Sequence, residues 1–278
     1  MVFDRIVIVD WSANAAPKRG ADSIWICTLD TASGAVTVAN HPTRTSAFDA
    51  LTVAADSPGR VLVGVDFPLG YPTGCAAALG VRGNPWSAIW EFLSADLIDD
   101  RRNRNNRWTV AAEMNRRLGV NHFWGTPPSA ASEHLTPTRP EWTERHLPTY
   151  RATEQRLRDR GLRPFSAWQL LGAGSVGSQA ITGIPAMQRL RLHPRLAGRV
   201  RVWPFETGLQ LPDDDGIVVA EVWPSSIPFE HVDHPVKDAR QVVALAQWFA
   251  SHSAADATPA SDIAGATALE EGWVLGPQ

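Results

Sequence analysis

Two apolar runs rich in β-branched residues end on a carboxylate in the first quarter of the chain. They are "RIVIVD" and "RVLVGVD", and a turn rich in Gly, Pro or Ser follows each acid within a few residues. Continuous apolar runs of this length are typical of strands that are buried on both faces. We therefore predict buried strands over 4–11 and 60–66, which carry Asp10 and Asp66 at equivalent ends.

Two more strands and a helix are predicted between these runs. "DSIWICTLD" (22–30) and "AVTVAN" (35–40) are joined by "TASG", which is typical of antiparallel neighbours. Helical spacing of apolar residues behind an N-capping Thr or Ser predicts a helix over 45–57. The order of elements up to Asp66 is therefore β-β-β-α-β.

The pattern becomes helical after the fourth strand, and proline-rich loops separate the predicted helices. Helices are predicted over 84–97, 106–119 and 147–161, strands over 198–206 and 216–225, an amphipathic helix over 234–252, and a weaker helix and tail over 256–275. We predict a single α/β domain over 1–278 with a helical insertion at about 67–197, between the fourth and fifth strands. This element order is that of a ribonuclease H-like mixed sheet.

The first and fourth strands lie side by side in a ribonuclease H-like sheet. Asp10 and Asp66 would then face each other across one strand spacing, about 5 Å. Like charges at that separation do not both ionise without a cation between them. The two acids therefore predict a metal site, and a purely structural role is the alternative.

Later acids supply the further oxygen ligands that such a site needs. Glu221 interrupts an apolar strand, Asp238 lies in the first turn of the amphipathic helix, and Glu206 is the last residue of another predicted strand. A salt-bridged core acid is the alternative for Glu221. A helix acid that complements the helix dipole is the alternative for Asp238.

Several motifs resemble a family of predicted ribonuclease H-like nucleases, the domain of unknown function numbered 429. They are "VDWSA", "VGVDFPLG", "NRRLG" followed by "FWGTPP", "AEVWPS" and "KDARQVVALA". That family is itself similar to the Holliday-junction resolvases. The resemblance implies a sheet flanked by helices and a Mg²⁺ or Mn²⁺ site, with its acids at Asp10, Asp66, Glu221 and Asp238. Family helices often carry a second acid three residues further on, where this chain has Gln241.

These residues predict a metal-dependent hydrolase of a phosphodiester or nucleotide. Two ions about 3.5–4 Å apart would activate water and stabilise the leaving oxygen. Lys18 and Lys237 are predicted phosphate contacts, and arginines of 101–107 or 151–163 are expected at the rim of the site. Residues predicted to bind substrate are Ser12, Lys18, Arg107, Ser175 and Lys237. The expected partner is a phosphorylated small molecule or a short nucleic acid, because a net charge of -3 disfavours tight binding to long duplexes.

Four other interpretations compete with a nuclease. The glycines of "LLGAGSVGSQA" satisfy a dinucleotide-binding pattern, but no strand leads into it. The same stretch would make Ser175 a nucleophile, with an acid from 213–215 and His231 or His234 as partners. An actin-like phosphotransferase or ATPase shares the fold, although Ser12 stands where its phosphate loop needs glycine. A ligand-binding protein without catalysis is the fourth, and Gln241 supports it.

Composition also bears on the cellular compartment in which the protein is expected. The chain is 44% hydrophobic and 20% charged, as in ordinary globular proteins, and has two cysteines. Two cysteines are too few for a disulfide framework, and the first apolar run is too short for a signal or spanning helix. We therefore expect a reduced cytoplasmic protein without a membrane partner.

Overall fold

The computed structural model describes residues 3–259 and 265–277. Within them the strands are β1 (Arg5–Asp10), β2 (Ile24–Asp30), β3 (Val36–His41), β4 (Arg60–Val65), β5 (Val200–Val202), β6 (Gly216–Val222) and β7 (Val274–Leu275). The α-helices are α1 (Arg44–Ala55), α2 (Cys75–Ala78), α3 (Pro85–Asp96), α4 (Arg107–Leu118), α5 (Ala152–Asp159), α6 (Gly177–Arg191), α7 (Lys237–Ser251), α8 (Ala254–Ala257) and α9 (Gly265–Glu271).

The seven described strands form one mixed sheet in the order β3-β2-β1-β4-β6-β5, and β7 pairs with the end of β6. β1, β2 and β3 are antiparallel neighbours, whereas β4 is parallel to both β1 and β6. The structure thus confirms the α/β class, the β-β-β-α-β order and the adjacency of the first and fourth strands.

The two faces of the sheet belong to separate cores because successive side chains of a strand point to opposite faces. Val7 and Val9 pack in a core that includes residues of α1, α3, α4 and α6. Ile6 and Ile8 pack in the other core, which includes residues of α7 and α9. Strands covered on both sides explain the continuous apolar runs of the sequence.

The register of β1 and β4 fixes the relative position of their acids. Val9 pairs with Val65, and the Asp66 N–H donates to the Val9 carbonyl at 3.2 Å. Asp10 and Asp66 are the next residues along each strand, so their backbones lie about one strand spacing apart, roughly 4.8 Å.

The insertion between β4 and β5 contains α2 to α6. The sequence predicted the bounds of some of these helices more closely than those of others. The helices predicted over 84–97 and 106–119 are confirmed to within a residue at each end. The helix predicted from 147 begins only at Ala152. The strand predicted over 198–206 ends at Val202, since Pro204 has no N–H for a sheet ladder.

Helix α6 was not predicted from the pattern. It contains Gly183 and Pro185, which are unfavourable inside helices, and nearly all of its residues are buried. Burial on every side removes the 3.6-residue alternation of apolar and polar positions. The helix lies so close to the sheet that a Cβ at Gly183 would be 2.3 Å from Cζ of Phe67.

The C-terminal part departs from the predicted weak helix and tail over 256–275. α8 and α9 occupy part of it, β7 adds a strand that was not predicted, and residues 260–264 lie outside the described residues. None of the helices in the described ranges has the length and apolar character needed to cross a bilayer.

Candidate active site

A cavity of about 830 Å³ opens at the carboxyl ends of β1, β4 and β6. Its wall also includes the loop after β1, the segment 170–179 that leads into α6, and the first turns of α7. The predicted site residues that line it are Asp10, Ser12, Asp66, Arg107, Ser175, Glu221 and Asp238. The topology thus brings seven of nine predicted residues to one cavity, although they come from all parts of the chain.

Asp10 and Asp66 form an electrostatically strained pair in this cavity. Burial, followed by the nearby charges of Asp66, Asp238 and Asp22, raises the pKa of Asp10 well above its usual range. Burial also raises the pKa of Asp66 to about 6, even though the Trp11 N–H donates to its Oδ1 at 2.8 Å. No described Lys, Arg or His forms an ion pair with either acid. The pair therefore holds a proton more readily than isolated carboxylates do.

Asp238 approaches the pair from the first turn of α7, as predicted, and the loop after β1 anchors it. The Asp22 N–H donates to Asp238 Oδ2 at 2.8 Å. Asp22 also lines the cavity, adopts a left-handed backbone conformation with φ of 53°, and was not among the predicted residues. Four aspartates therefore gather at this edge of the sheet.

Glu221 differs from the aspartates because it is already paired. Because side chains alternate along β6, Glu221 points to the same face of the sheet as Ile217 and Val219, which is opposite the face that α7 covers. Arg151, which is fully buried, donates to both of its carboxylate oxygens at 2.8 and 2.6 Å. Arg151 also binds Glu154 at 2.5 Å. This geometry favours the salt-bridged alternative, since a metal ion would compete with Arg151 for the Glu221 oxygens.

Among the described residues, Arg107 is the one lysine or arginine that lines the cavity. Its Nε donates to Ser178 Oγ at 3.2 Å, its Nη1 donates to Asn105 Oδ1 at 2.9 Å, and the guanidinium lies 4.1 Å from the ring centre of Trp108. Burial, with the nearby charge of Arg44, lowers the pKa of Arg107 to about 10, so it remains protonated at neutral pH. No described carboxylate forms an ion pair with Arg107, so its charge is available to an anion.

The two predicted lysines do not line the cavity. Lys18 binds the side chain of Asp22 at 3.3 Å. Lys237 is exposed, and its ammonium lies 5.8 Å from the ring centre of Phe229. Glu206 is also away from the cavity, where it accepts hydrogen bonds from Arg191. The phosphate contacts predicted for Lys18 and Lys237 stay predictions, and the structure places both lysines and Glu206 outside the cavity lining.

The two predicted serines line the cavity from loops. Ser12 Oγ accepts from Asn14 Nδ2 at 2.8 Å. Ser175 precedes α6, and its N–H donates to the Gly172 carbonyl at 3.1 Å. These positions suit substrate contacts.

The nucleophile alternative for Ser175 is wrong because its partners lie elsewhere. Asp214 pairs with Arg201, His231 contacts Gln247, and the His234 ring packs on Trp25. None of these acids or histidines lines the cavity. The dinucleotide alternative fails as well, since the glycines follow a loop instead of a strand of the sheet.

Gln179 is a site residue that the sequence did not reveal. Its Nε2 donates to Asp66 Oδ2 at 3.3 Å and to the Trp11 carbonyl at 2.5 Å. It projects from the first turn of α6, the helix that the pattern did not predict. Gln241 also lines the cavity, and its Nε2 donates to Ser225 Oγ at 2.9 Å.

In the part of the chain that the structure describes, no three His, Cys, Asp or Glu side chains are arranged closely enough to hold a metal ion. Comparisons of the chain with models of known protein families, with curated proteins and with solved structures find no match. Only the geometry of the cavity therefore bears on the function of the protein.

Proposed function

We propose that this protein is a ribonuclease H-like, metal-dependent hydrolase that cleaves a phosphodiester or nucleotide. The observation that carries the proposal is the register-paired Asp10 and Asp66, which share a cavity with Arg107 and have no cationic partner among the described residues. The strand order, in which β1 pairs with the antiparallel β2 on one side and the parallel β4 on the other, supports the proposed ribonuclease H-like fold.

The residues of the cavity fit Mg²⁺ or Mn²⁺. Mg²⁺ commonly uses one or two carboxylates and completes its octahedron with waters and substrate phosphate oxygens. Asp10 and Asp66 would hold the ion, and Asp238 would reach it through a water molecule. Burial, followed by repulsion from Asp66 and Asp238, raises the pKa of Asp10, and a cation at this place would favour its charged form. When bound, the ion would supply Lewis acidity and a water of lowered pKa.

The chain's own residues prepare the phosphate and the acids. Arg107 neutralises charge on a phosphate that enters the cavity. Gln179 and the Trp11 N–H orient Asp66 by donating to its two oxygens. Arg151 holds Glu221 on the insertion side of the sheet, which joins the insertion to β6.

The test is phosphodiester cleavage with Mn²⁺ and without a nucleoside triphosphate. We expect the protein to hydrolyse bis(p-nitrophenyl) phosphate or dinucleotides. Asp10→Asn should lower the rate about 100-fold or more, because the ion contributes several kcal/mol. Asp49→Asn, which changes an exposed acid of α1, is the matched control and should keep the rate.

Binding of the ion is tested separately by thermal unfolding. Mn²⁺ should raise the melting temperature of the natural protein, because a ligand that binds only the folded state stabilises it. Asp10→Asn should abolish that rise. An unchanged rise in this variant would contradict the metal site, and ATP hydrolysis without diesterase activity would favour the actin-like alternative.

A further inference from the structure

The cavity has an apolar wall in addition to its acids. Pro164, Phe165, Leu171, Trp223 and Pro224 all line it. Phe165 is 42% exposed and Leu171 is 47% exposed, although both are large apolar residues at a concave surface. Apolar side chains left open in a cavity of this size are typical of a ligand site.

The ring of Phe165 is seated on the backbone of Gly174. A Cβ at Gly174 would lie 2.2 Å from Cε2 and 2.6 Å from Cζ of Phe165. The φ of Gly174 is +76°, which also disfavours any side chain at this position. One side of the ring is thus packed on the loop before α6, while the ring remains partly open to solvent.

The charges of the cavity favour a phosphate compound that also makes an apolar contact. Four aspartates face the cavity, and Arg107 is the only described lysine or arginine that lines it. A bare phosphate would be repelled by the acids until a cation binds. Contacts with an uncharged part of the ligand would offset that repulsion.

We propose that Phe165 stacks on a nucleobase, so that the substrate of this site is a nucleotide or a nucleotidyl phosphodiester instead of a simple phosphate ester. This inference rests on the proposed function, since it takes Arg107 and the aspartates as the phosphate end of the same site. A base presents a flat aromatic face, and base–aromatic stacking tolerates any base. The seated ring of Phe165 therefore offers affinity without sequence selectivity.

The experiment compares two probes that share a phosphate and a ribose. AMP and ribose 5-phosphate are titrated with Mn²⁺ into the full chain, into Phe165→Ala and into Phe165→Trp. We expect AMP to bind more tightly than ribose 5-phosphate, and Phe165→Ala to weaken AMP about tenfold while leaving ribose 5-phosphate unchanged. Phe165→Trp should retain the affinity for AMP, because its ring still stacks.

Leu162→Ala is the matched control. Leu162 is 37% exposed in the same segment and does not line the cavity, so its loss should change neither affinity. A Phe165→Leu variant checks for misfolding, since it keeps apolar bulk but should lose AMP affinity as Phe165→Ala does.

The outcomes separate this inference from the proposed function. Equal binding of both probes, or no effect of Phe165→Ala on AMP, would overturn the stacking site even if the protein cleaves phosphodiesters with Mn²⁺. Binding of neither probe would also overturn it. Stacking of AMP without any Mn²⁺-dependent cleavage would support the base site while contradicting the hydrolase.

Discussion

At the scale of single residues, the chemistry of the cavity depends on how each carboxylate is held. Asp66 accepts hydrogen bonds from the Trp11 N–H and from Gln179. Glu221 is instead bound by a guanidinium. The carboxylates of the cavity thus differ in their surroundings, because Arg151 neutralises Glu221 whereas no described Lys, Arg or His forms an ion pair with Asp66.

Gln179→Glu tests the aspartate cluster directly. The change replaces an amide donor beside Asp66 with another carboxylate. Without divalent ions at pH 8, added repulsion of about 1 kcal/mol should lower the melting temperature by roughly 2–4 °C. Mn²⁺ should recover that loss, because a cation neutralises the new charge, which a merely structural role of Gln179 would not produce.

Gln247→Glu is the control for the charge change. Gln247 is exposed on α7, so the same substitution there should leave both the melting temperature and the Mn²⁺ response unchanged. Equal behaviour of the two variants would show that Gln179 does not face a carboxylate cluster.

At the scale of elements, α6 connects the insertion to the edge of the sheet where the acids lie. Thr182 accepts a hydrogen bond from the Trp11 indole at 3.3 Å, and Gly183 lies against Phe67, which follows Asp66. This close approach is what lets Gln179 reach Asp66. A helix with ordinary side chains at its contact positions would lie further from the sheet.

Gly183→Ala should therefore destabilise the protein. Alanine is favoured over glycine inside a helix by about 1 kcal/mol, so the usual sign is stabilisation. Here the added methyl would lie 2.3 Å from the Phe67 ring, and overpacking of this kind costs about 1–3 kcal/mol. Thermal unfolding should show a lower melting temperature.

A second change checks the cause of that loss. Phe67→Leu removes part of the ring, so in the Gly183→Ala background it should restore some stability. A rise in melting temperature for Gly183→Ala alone would contradict the close approach of α6.

At the scale of the whole molecule, the sheet and α7 form one unit, and the insertion covers the opposite face and one wall of the cavity. His122, which is 1% exposed, links two segments of the insertion through its ring nitrogens. The Leu147 N–H donates to His122 Nε2 at 2.8 Å, and Nδ1 lies 3.3 Å from the Val120 carbonyl. This arrangement requires a neutral ring, because a proton on Nε2 would face the Leu147 N–H.

The neutral histidine predicts a loss of stability in acid. Burial, with His146 nearby, lowers the pKa of His122 to about 4 from the usual 6.5. The unfolded chain then binds more protons between these values, so stability is present above pH 6.5 and is lost as the pH falls towards 4. The contribution of His122 to the free energy of unfolding should decrease by about 1–2 kcal/mol from pH 7 to pH 5, while the raised pKa values of Asp10 and Asp66 act in the opposite sense, so urea unfolding must compare the natural chain with a His122 variant.

His122→Gln should remove most of that decrease, since its amide does not titrate. The exposed His231, replaced by Gln, is the control and should leave the decrease in place. An identical pH dependence in His122→Gln and the natural chain would exclude His122 as the cause.

The sequence alone determined the features that depend on short-range periodicity. β-branched runs with acids at their ends predicted β1 and β4, and the order of elements predicted that these strands are neighbours. Once the strands pair, their register brings Asp10 and Asp66 together without further information. The amphipathic pattern of α7 likewise predicted the helix that carries Asp238.

Only the tertiary structure decided which residues complete the cavity. Gln179 and Asp66 are 113 positions apart, and Arg151 and Glu221 are 70 apart, so no local pattern links either pair. α6 was hidden because burial on all sides removes its periodicity, and Phe165 acquired its place only from the loop that packs beneath it. Local sequence specifies elements through their own hydrogen bonds and periodicity, whereas partners of a buried charge or ring depend on how distant elements pack.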